Sequence, residues 1–188
     1  MQEEAVMLNK KSSARVEAGR RNIQNGKTAE ILVKAACDVY RKNGIAFIEK
    51  NAEPVQVLGP VKSQGGLYFM RFAYKAKPDY EGILAGGRGI LFDVKSTVQE
   101  VIKASTLTKG QAAYLEQYDK MGAVSAILVC MKFEDYYMVP WSIWKKMKEL
   151  YGHMHMTKEE LEPYRVLADP YIHFLEHLGG NENGCEKV

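Results

Sequence analysis

The stretch KPDYEGILAGGRGILFDVK, from Lys77 to Lys95, constrains the chain more than any other. Tyr80–Leu84 reads as a strand, Gly86-Gly87-Arg88-Gly89 as a turn and Ile90–Val94 as a returning apolar strand. Together they predict a hairpin flanked by Asp79 and Asp93. Asp93 ends an apolar run of Ile90, Leu91 and Phe92, where a carboxylate is unfavourable unless a cation, a hydrogen bond or water satisfies it. A second carboxylate on the neighbouring strand adds repulsion that a divalent cation between the two would remove. Lys95 follows Asp93 by two residues, which on a strand puts both side chains on one face. Two acids able to hold a metal, with an ammonium beside them, suit attack on a phosphodiester.

The rest of the chain is long enough to build a support for such a site. Its 188 residues suit one domain with a substantial core. No run of about 18 apolar residues is present, so no membrane span is expected, and the charged N-terminus lacks an apolar signal core. Cys37, Cys130 and Cys185 are odd in number and form no C-x-x-C pair, which fits a reduced, cytoplasmic setting. Charge is uneven along the chain. Residues 1–110 hold 18 Lys and Arg against 11 Asp and Glu, whereas residues 111–188 hold 8 against 12. A basic front half permits a nucleic-acid surface.

Taken in order, residues 1–21 are polar and basic, with Arg20 and Arg21 at their end, and predict a mobile arm that is either a solvated tail or a strap along a phosphate backbone. A helix is predicted from about Asn22 to Asn43, because Ala29, Leu32, Val33, Ala36, Val39 and Tyr40 recur at helical spacing before Asn43-Gly44. Glu30 stands one position off that stripe. It is either a solvated glutamate or a further group completing a metal site from outside the sheet. Ile45–Glu49 reads as a short strand. Val55–Leu58 and Leu67–Tyr74 then alternate as strands around a tip near Ser63–Gly66, which predicts a projecting hairpin. Its Tyr68, Phe69, Phe72 and Tyr74 sit among Lys62, Arg71, Lys75 and Lys77. Either the aromatics join the core, or the projection enters a nucleic acid or a partner subunit, basic outside and aromatic within.

Val98–Leu107 lacks periodicity and reads as a loop. Thr108 and Gln111 have the spacing of a capping box, followed by a helix that Gly122 stops. Ala123–Met131 reads as a buried strand, Tyr136–Val139 as another. Pro140 then begins a helix whose Trp141 and Trp144 are expected in the core. In the tail, His153 flanks Met154 with His155, and His173 and His177 stand at i,i+4, a spacing open to zinc, but no H-E-x-x-H motif or accompanying cysteine supports it. The GGRG turn is not a phosphate-binding loop, since G-x-x-x-x-G-K-[ST] is absent. Residues 179–188 are expected to be disordered.

The order of pieces resembles a known family. A helix glutamate comes first, then a strand, PD and DxK on a hairpin, and a helix opened by glutamine, with an apolar strand, another strand and a helix to follow. This resembles the PD-(D/E)xK superfamily of restriction-endonuclease-like nucleases, and within it the RecU-type Holliday junction resolvases. The residues that carry the resemblance are Asn25-Gly26-Lys27-Thr28-Ala29-Glu30, Lys50-Asn51-Ala52-Glu53-Pro54-Val55-Gln56-Val57, Pro78-Asp79-Tyr80-Glu81-Gly82, Phe92-Asp93-Val94-Lys95-Ser96-Thr97, Gln111 and FEDYYMVPWSIW from Phe133 to Trp144. It spans about residues 22–148.

The resemblance implies an α/β (α+β) fold with a mixed central sheet flanked by helices and a protruding hairpin stalk at about residues 54–74, on a single nuclease domain over residues 22–178. It implies a homodimer that resolves four-way DNA junctions symmetrically with Mg²⁺ or Mn²⁺. Asp79 and Asp93 would bind metal, Gln111 would contribute at the same site, and Lys95 would stabilise charge on the phosphate. Glu30 matches a helix glutamate common in the superfamily. Arg20, Arg21, Lys27, Lys62, Arg71, Lys75 and Lys77 are the expected DNA contacts. Two positions depart from the pattern: Lys77 replaces a hydroxyl residue two before the first aspartate, and Asp93 replaces glutamate. Small size and these departures suit a phage version. The alternatives are another nuclease of the superfamily, of restriction or repair type, and a DNA-binding or strand-annealing accessory that has lost the chemistry.

Overall fold

Ala29, Val33, Ala36, Cys37 and Tyr40 form one stripe of the first helix, and all five are buried. The structure, a computed structural model, describes residues 28–52, 55–60, 65–72, 77–132, 134–176 and 178; within them helix α1 covers 28–42. It stops where Gly44 takes a φ of 67° and Ile45 N–H donates back to Tyr40 O at 2.9 Å, a left-handed turn that glycine enters without steric cost. The predicted arm at 1–21 and tail at 179–188 lie outside the described residues.

Strands β1 (Ala46–Lys50), β4 (Tyr80–Leu84), β5 (Gly89–Thr97), β7 (Val124–Met131), β8 (Asp135–Pro140) and β10 (Arg165–Val166) form a six-stranded sheet in the order β1-β4-β5-β7-β8-β10. Only the β5–β7 pair is parallel. A parallel pair needs a crossover connection, and helix α2 (Lys109–Lys120) lies within it. Period-two alternation along β5 sorts its side chains between two cores. Ile90 and Phe92 face α1, Tyr40 and Phe174, whereas Leu91 faces Leu115, Trp141 and Met147. The sheet is therefore mixed and covered on both sides, as the sequence predicts. Trp141 and Trp144, on helix α3 (Trp141–Trp144), belong to the second core. No helix among the described residues is long and apolar enough to cross a membrane.

Strands β1 and β4 approach so closely at Gly82 that a Cβ there would overlap Phe47 O and lie 2.7 Å from Ile48 Cα. This contact, with the register Ile48↔Gly82, accounts for glycine in the Asp79-Tyr80-Glu81-Gly82 run.

Two sequence expectations need correction, and one is met. Val98–Leu107 is no loop: strand β6 (Val101–Lys103) pairs with strand β9 (His155–Thr157), and a 3₁₀ turn covers Ala104–Thr106. The helix after Pro140 is broken into α3 and α4 (Met147–Tyr151). The hairpin forms, as strands β2 (Val55–Pro60) and β3 (Tyr68–Phe72), and these pair with each other rather than with the large sheet. Tyr68 and Phe69 lie outside the core, 57% and 59% exposed, beside open Val57, Leu58 and Met70.

Candidate active site

The site is set by register. Tyr80 pairs with Phe92 across β4 and β5, and their rings stack with centroids 5.0 Å apart in the first core. One step further along each strand, alternation turns Asp79 and Asp93 to the opposite face, the face that α2 covers. The Asp79 carboxylate accepts from Val94 N–H through Oδ2 at 2.9 Å. Its main chain is pinned from β1: Asn51 N–H donates to Asp79 O at 2.8 Å, and Asn51 Nδ2 donates to Pro78 O at 2.9 Å.

Asp93 is fully buried. Gln111 Nε2 donates to its Oδ1 at 2.5 Å. Lys95 Nζ stands 2.6 Å from its buried Oδ2, a charge-assisted contact. Burial pushes the Asp93 carboxyl up to about 6; the charge of Asp79 adds to the rise and Lys95 opposes it. Asp79 is raised as well, chiefly by burial, against the pull of Val94 N–H, Lys95 and Lys50. A buried and a half-buried carboxylate, both held above their ordinary range, make a place where added positive charge is favourable. Asp79 is half-buried and the Lys95 side chain is 18% exposed, so the pair is reached from solvent on that side.

Helix α2 brings the glutamine. Thr108 caps it, with Oγ1 accepting from Gln111 N–H at 3.2 Å while Gln111 Oε1 accepts from Thr108 N–H at 3.1 Å. This is the capping box expected from the sequence. Yet Gln111 also reaches the Asp93 carboxylate.

The other expected groups lie further out. Glu30 forms an ion pair with Lys50 at 2.8 Å and acts on Asp79 only through its field, raising its pKa. Lys77 lies 3.5 Å from Glu81 and 5.9 Å from the Tyr114 ring centroid. Arg71 donates to Gln56 across the hairpin at 2.8 Å. Arg20, Arg21, Lys27, Lys62 and Lys75 lie outside the described residues, as does His177. His173 is not on a helix; it contacts Glu176 and Asp169 O. Among the described residues no three His, Cys, Asp or Glu side chains converge into a metal cage. A cation here would rest on Asp79 and Asp93. Their all-oxygen chemistry suits a hard divalent ion that keeps several waters. Sequence reasoning missed Asn51 and Lys50 as site residues, because their place beside Asp79 depends on the β1–β4 pairing.

Two acids from adjoining strands and a lysine on the same face fit the PD-(D/E)xK pattern that the sequence resembles. The family model for recombination protein U matches residues 24–179, and the chain belongs to the RecU family. It is 28% identical over 144 residues to a protein named Holliday junction resolvase RecU from Bacillus pumilus, covering 72% of this chain and 69% of that one. It is 25% identical over 167 residues to a protein of the same name from Staphylococcus saprophyticus, covering 86% and 77%. Among solved structures it resembles Hjc, a Holliday junction resolvase from Archaeoglobus fulgidus. That match has a TM-score of 0.44 and 10% identity, over 71% of this chain and 92% of the other.

Proposed function

We propose that this chain is a divalent-metal-dependent endonuclease that resolves four-way DNA junctions in recombination, acting as a homodimer that cuts symmetrically. The observation that carries the reading is the convergence of Asp79, Asp93 and Lys95 on one sheet face, with Gln111 against Asp93. Membership of the RecU family and the names of the relatives supply the substrate. Mg²⁺ or Mn²⁺ held by Asp79 and Asp93 would lower the pKa of an attacking water and polarise the phosphoryl oxygen. The chain's own groups do the rest. Val94 N–H fixes the Asp79 carboxylate. Lys95 supplies a fixed positive charge as negative charge grows on the phosphate, a role whose removal costs on the order of 10²–10³ in rate in comparable sites. Lys77 and Arg71, with the basic residues of the front half, hold the phosphate backbone, so binding weakens steeply with salt.

The exposed hairpin supports the dimer. A two-stranded ribbon is marginal on its own in water, and this one opens Val57, Leu58, Tyr68, Phe69 and Met70 to solvent. A second subunit or the junction covers it. Two-fold symmetry then presents two sites to opposing strands. Cys37 and Cys130 are buried and in no disulfide, which accords with work in the cytoplasm.

The test is Mg²⁺-dependent cleavage of a mobile four-way junction against linear duplex, by the native chain and by Asp93→Asn. The native chain cuts the junction in preference; Asp93→Asn binds it and does not cut. Equal cleavage by both chains rejects the assignment, and equal cutting of linear duplex favours a restriction or repair nuclease.

A further inference from the structure

The direction of the Asp79 side chain is set by two peptide planes, because Cβ leaves Cα at an angle fixed by the backbone N on one side and the carbonyl C on the other. One residue of the neighbouring strand holds both planes. Asn51 N–H donates to Asp79 O at 2.8 Å and so holds the peptide that leaves Asp79. Asn51 Nδ2 donates to Pro78 O at 2.9 Å and holds the peptide that enters it. A carbonyl can only accept, so the amide atom facing Pro78 O is the nitrogen. Both bonds fall where the ladder runs out. Lys50↔Tyr80 is the last register pair of β1 and β4 at this end, and Pro78 has no N–H with which to extend it. Beyond that pair the two chains part. Strand β2 begins at Val55 and β3 ends at Phe72, so Asn51 and Pro78 stand at the root of the projecting hairpin. The carboxylate held in this way accepts from Val94 N–H on β5.

We propose that Asn51 is a positioning residue of the site: its carboxamide clasps the root of the hairpin to β1 and, by fixing the peptide that enters Asp79, sets the direction of that carboxylate. The main-chain bond from Asn51 holds only the peptide on the far side of Asp79. The near peptide is continuous with the chain that arrives from the hairpin, so the side chain shields the aspartate from movement of that projection. Asparagine fits the task. Its nitrogen lies one bond beyond the reach of a serine hydroxyl, and unlike leucine, which has much the same shape, it donates. The inference rests on the nuclease reading for what the Asp79 carboxylate does. It goes beyond that reading by giving a residue outside the two acids and the lysine control over where one of the acids points, and by locating that control at the foot of the hairpin.

The test separates the clasp from plain loss of stability. Asn51→Leu keeps the shape and removes the donor, Asn51→Ser removes the reach, and Asn51→His returns a donor through Nδ1; all three keep the main-chain N–H. Three quantities are read for each full-length chain. The first is amide hydrogen exchange at Val94 in the metal-free protein, by nuclear magnetic resonance, with the amides of buried Ala126, Ile127, Leu128 and Val129 on β7 as the reference. The second is the Mn²⁺ dissociation constant without DNA, by electron paramagnetic resonance. The third is kcat and KM on a four-way junction. In Asn51→Leu and Asn51→Ser the Val94 amide is expected to exchange about tenfold faster while the β7 amides hold. Mn²⁺ should bind about threefold more weakly, and kcat should fall about tenfold with KM little changed. Asn51→His recovers the protection of Val94 and part of kcat. A folded Asn51→Leu or Asn51→Ser chain with native Val94 exchange and native Mn²⁺ affinity overturns the proposal. So does faster exchange shared equally by the β7 amides. If Asn51→Leu does not fold, Asn51→Ser decides. If the native chain cuts no junction, the nuclease reading fails, while Val94 exchange still judges the clasp.

Discussion

Replacing Asp93 with asparagine should make the metal-free protein more stable while abolishing its chemistry. The carboxyl is raised from 3.8 to about 6 by burial, with the Asp79 charge adding to it and Lys95 opposing. At about 1.4 kcal/mol per pH unit, the ionised form is disfavoured in the fold by on the order of 3 kcal/mol. The folded state binds this proton more tightly than the unfolded chain does. Its stability contribution is therefore present below about pH 4 and is lost as pH rises through about 6. Asparagine resembles the protonated carboxyl in shape and can still accept from Gln111 Nε2, but its NH₂ then faces the Lys95 ammonium, so that figure is the upper bound of the gain. Urea unfolding in chelator, from pH 4.5 to 8, should show the two chains diverging, with Asp93→Asn more stable by up to about 3 kcal/mol at pH 8. Adding Mg²⁺ should recover the native chain alone, by about 2.7 kcal/mol at a hundred times its dissociation constant. An Asp93→Asn chain that is no more stable than the native at pH 8 without metal, or that gains equally from Mg²⁺, refutes the argument.

Three further outcomes follow from other parts of the molecule. Gly82→Ala drives a Cβ into the main chain of β1 at Phe47 and Ile48 and should lower stability by about 3 kcal/mol, the upper end for overpacking; an unchanged thermal midpoint counts against the close approach. Lys95→Met should slow junction cleavage on the order of 10²–10³-fold with binding altered only a few-fold, in a filter-binding and single-turnover comparison. Phe69→Asp, on a ring that is 59% exposed, should leave the melting of the subunit within about 0.5 kcal/mol. It should shift sedimentation towards monomer or weaken junction binding, and no change in either removes the hairpin from the interface.

The site was more legible in the sequence than the frame around it. Asp79, Asp93 and Lys95 could be placed on one face because strand alternation and a glycine-rich turn are local signals, and Tyr80–Leu84 is a strand with the predicted bounds. Thr108 and Gln111 likewise announce a helix start three residues apart. What escaped depends on partners far along the chain. Strand β6 is three residues long and exists by pairing with β9, more than fifty residues later. Asn51 reaches Pro78 only because β1 lies beside β4. The exposure of Tyr68 and Phe69 was hidden for a different reason. Alternation marks one face of a strand as apolar, but not whether anything covers that face, and β2–β3 has no third strand among the described residues.

Double employment of Gln111 leaves a mark on how the chain can drift. In an ordinary capping box glutamate and glutamine are interchangeable, since either reaches back to the N-cap N–H. At this helix the exchange would bring a third carboxylate against Asp93, where an amide nitrogen now sits 2.5 Å away. A lineage can therefore accept serine for Thr108 at small cost, while the commonest neutral step at Gln111 is closed to it. One side chain at the start of α2 thus ties the helix cap to the carboxylate beneath it.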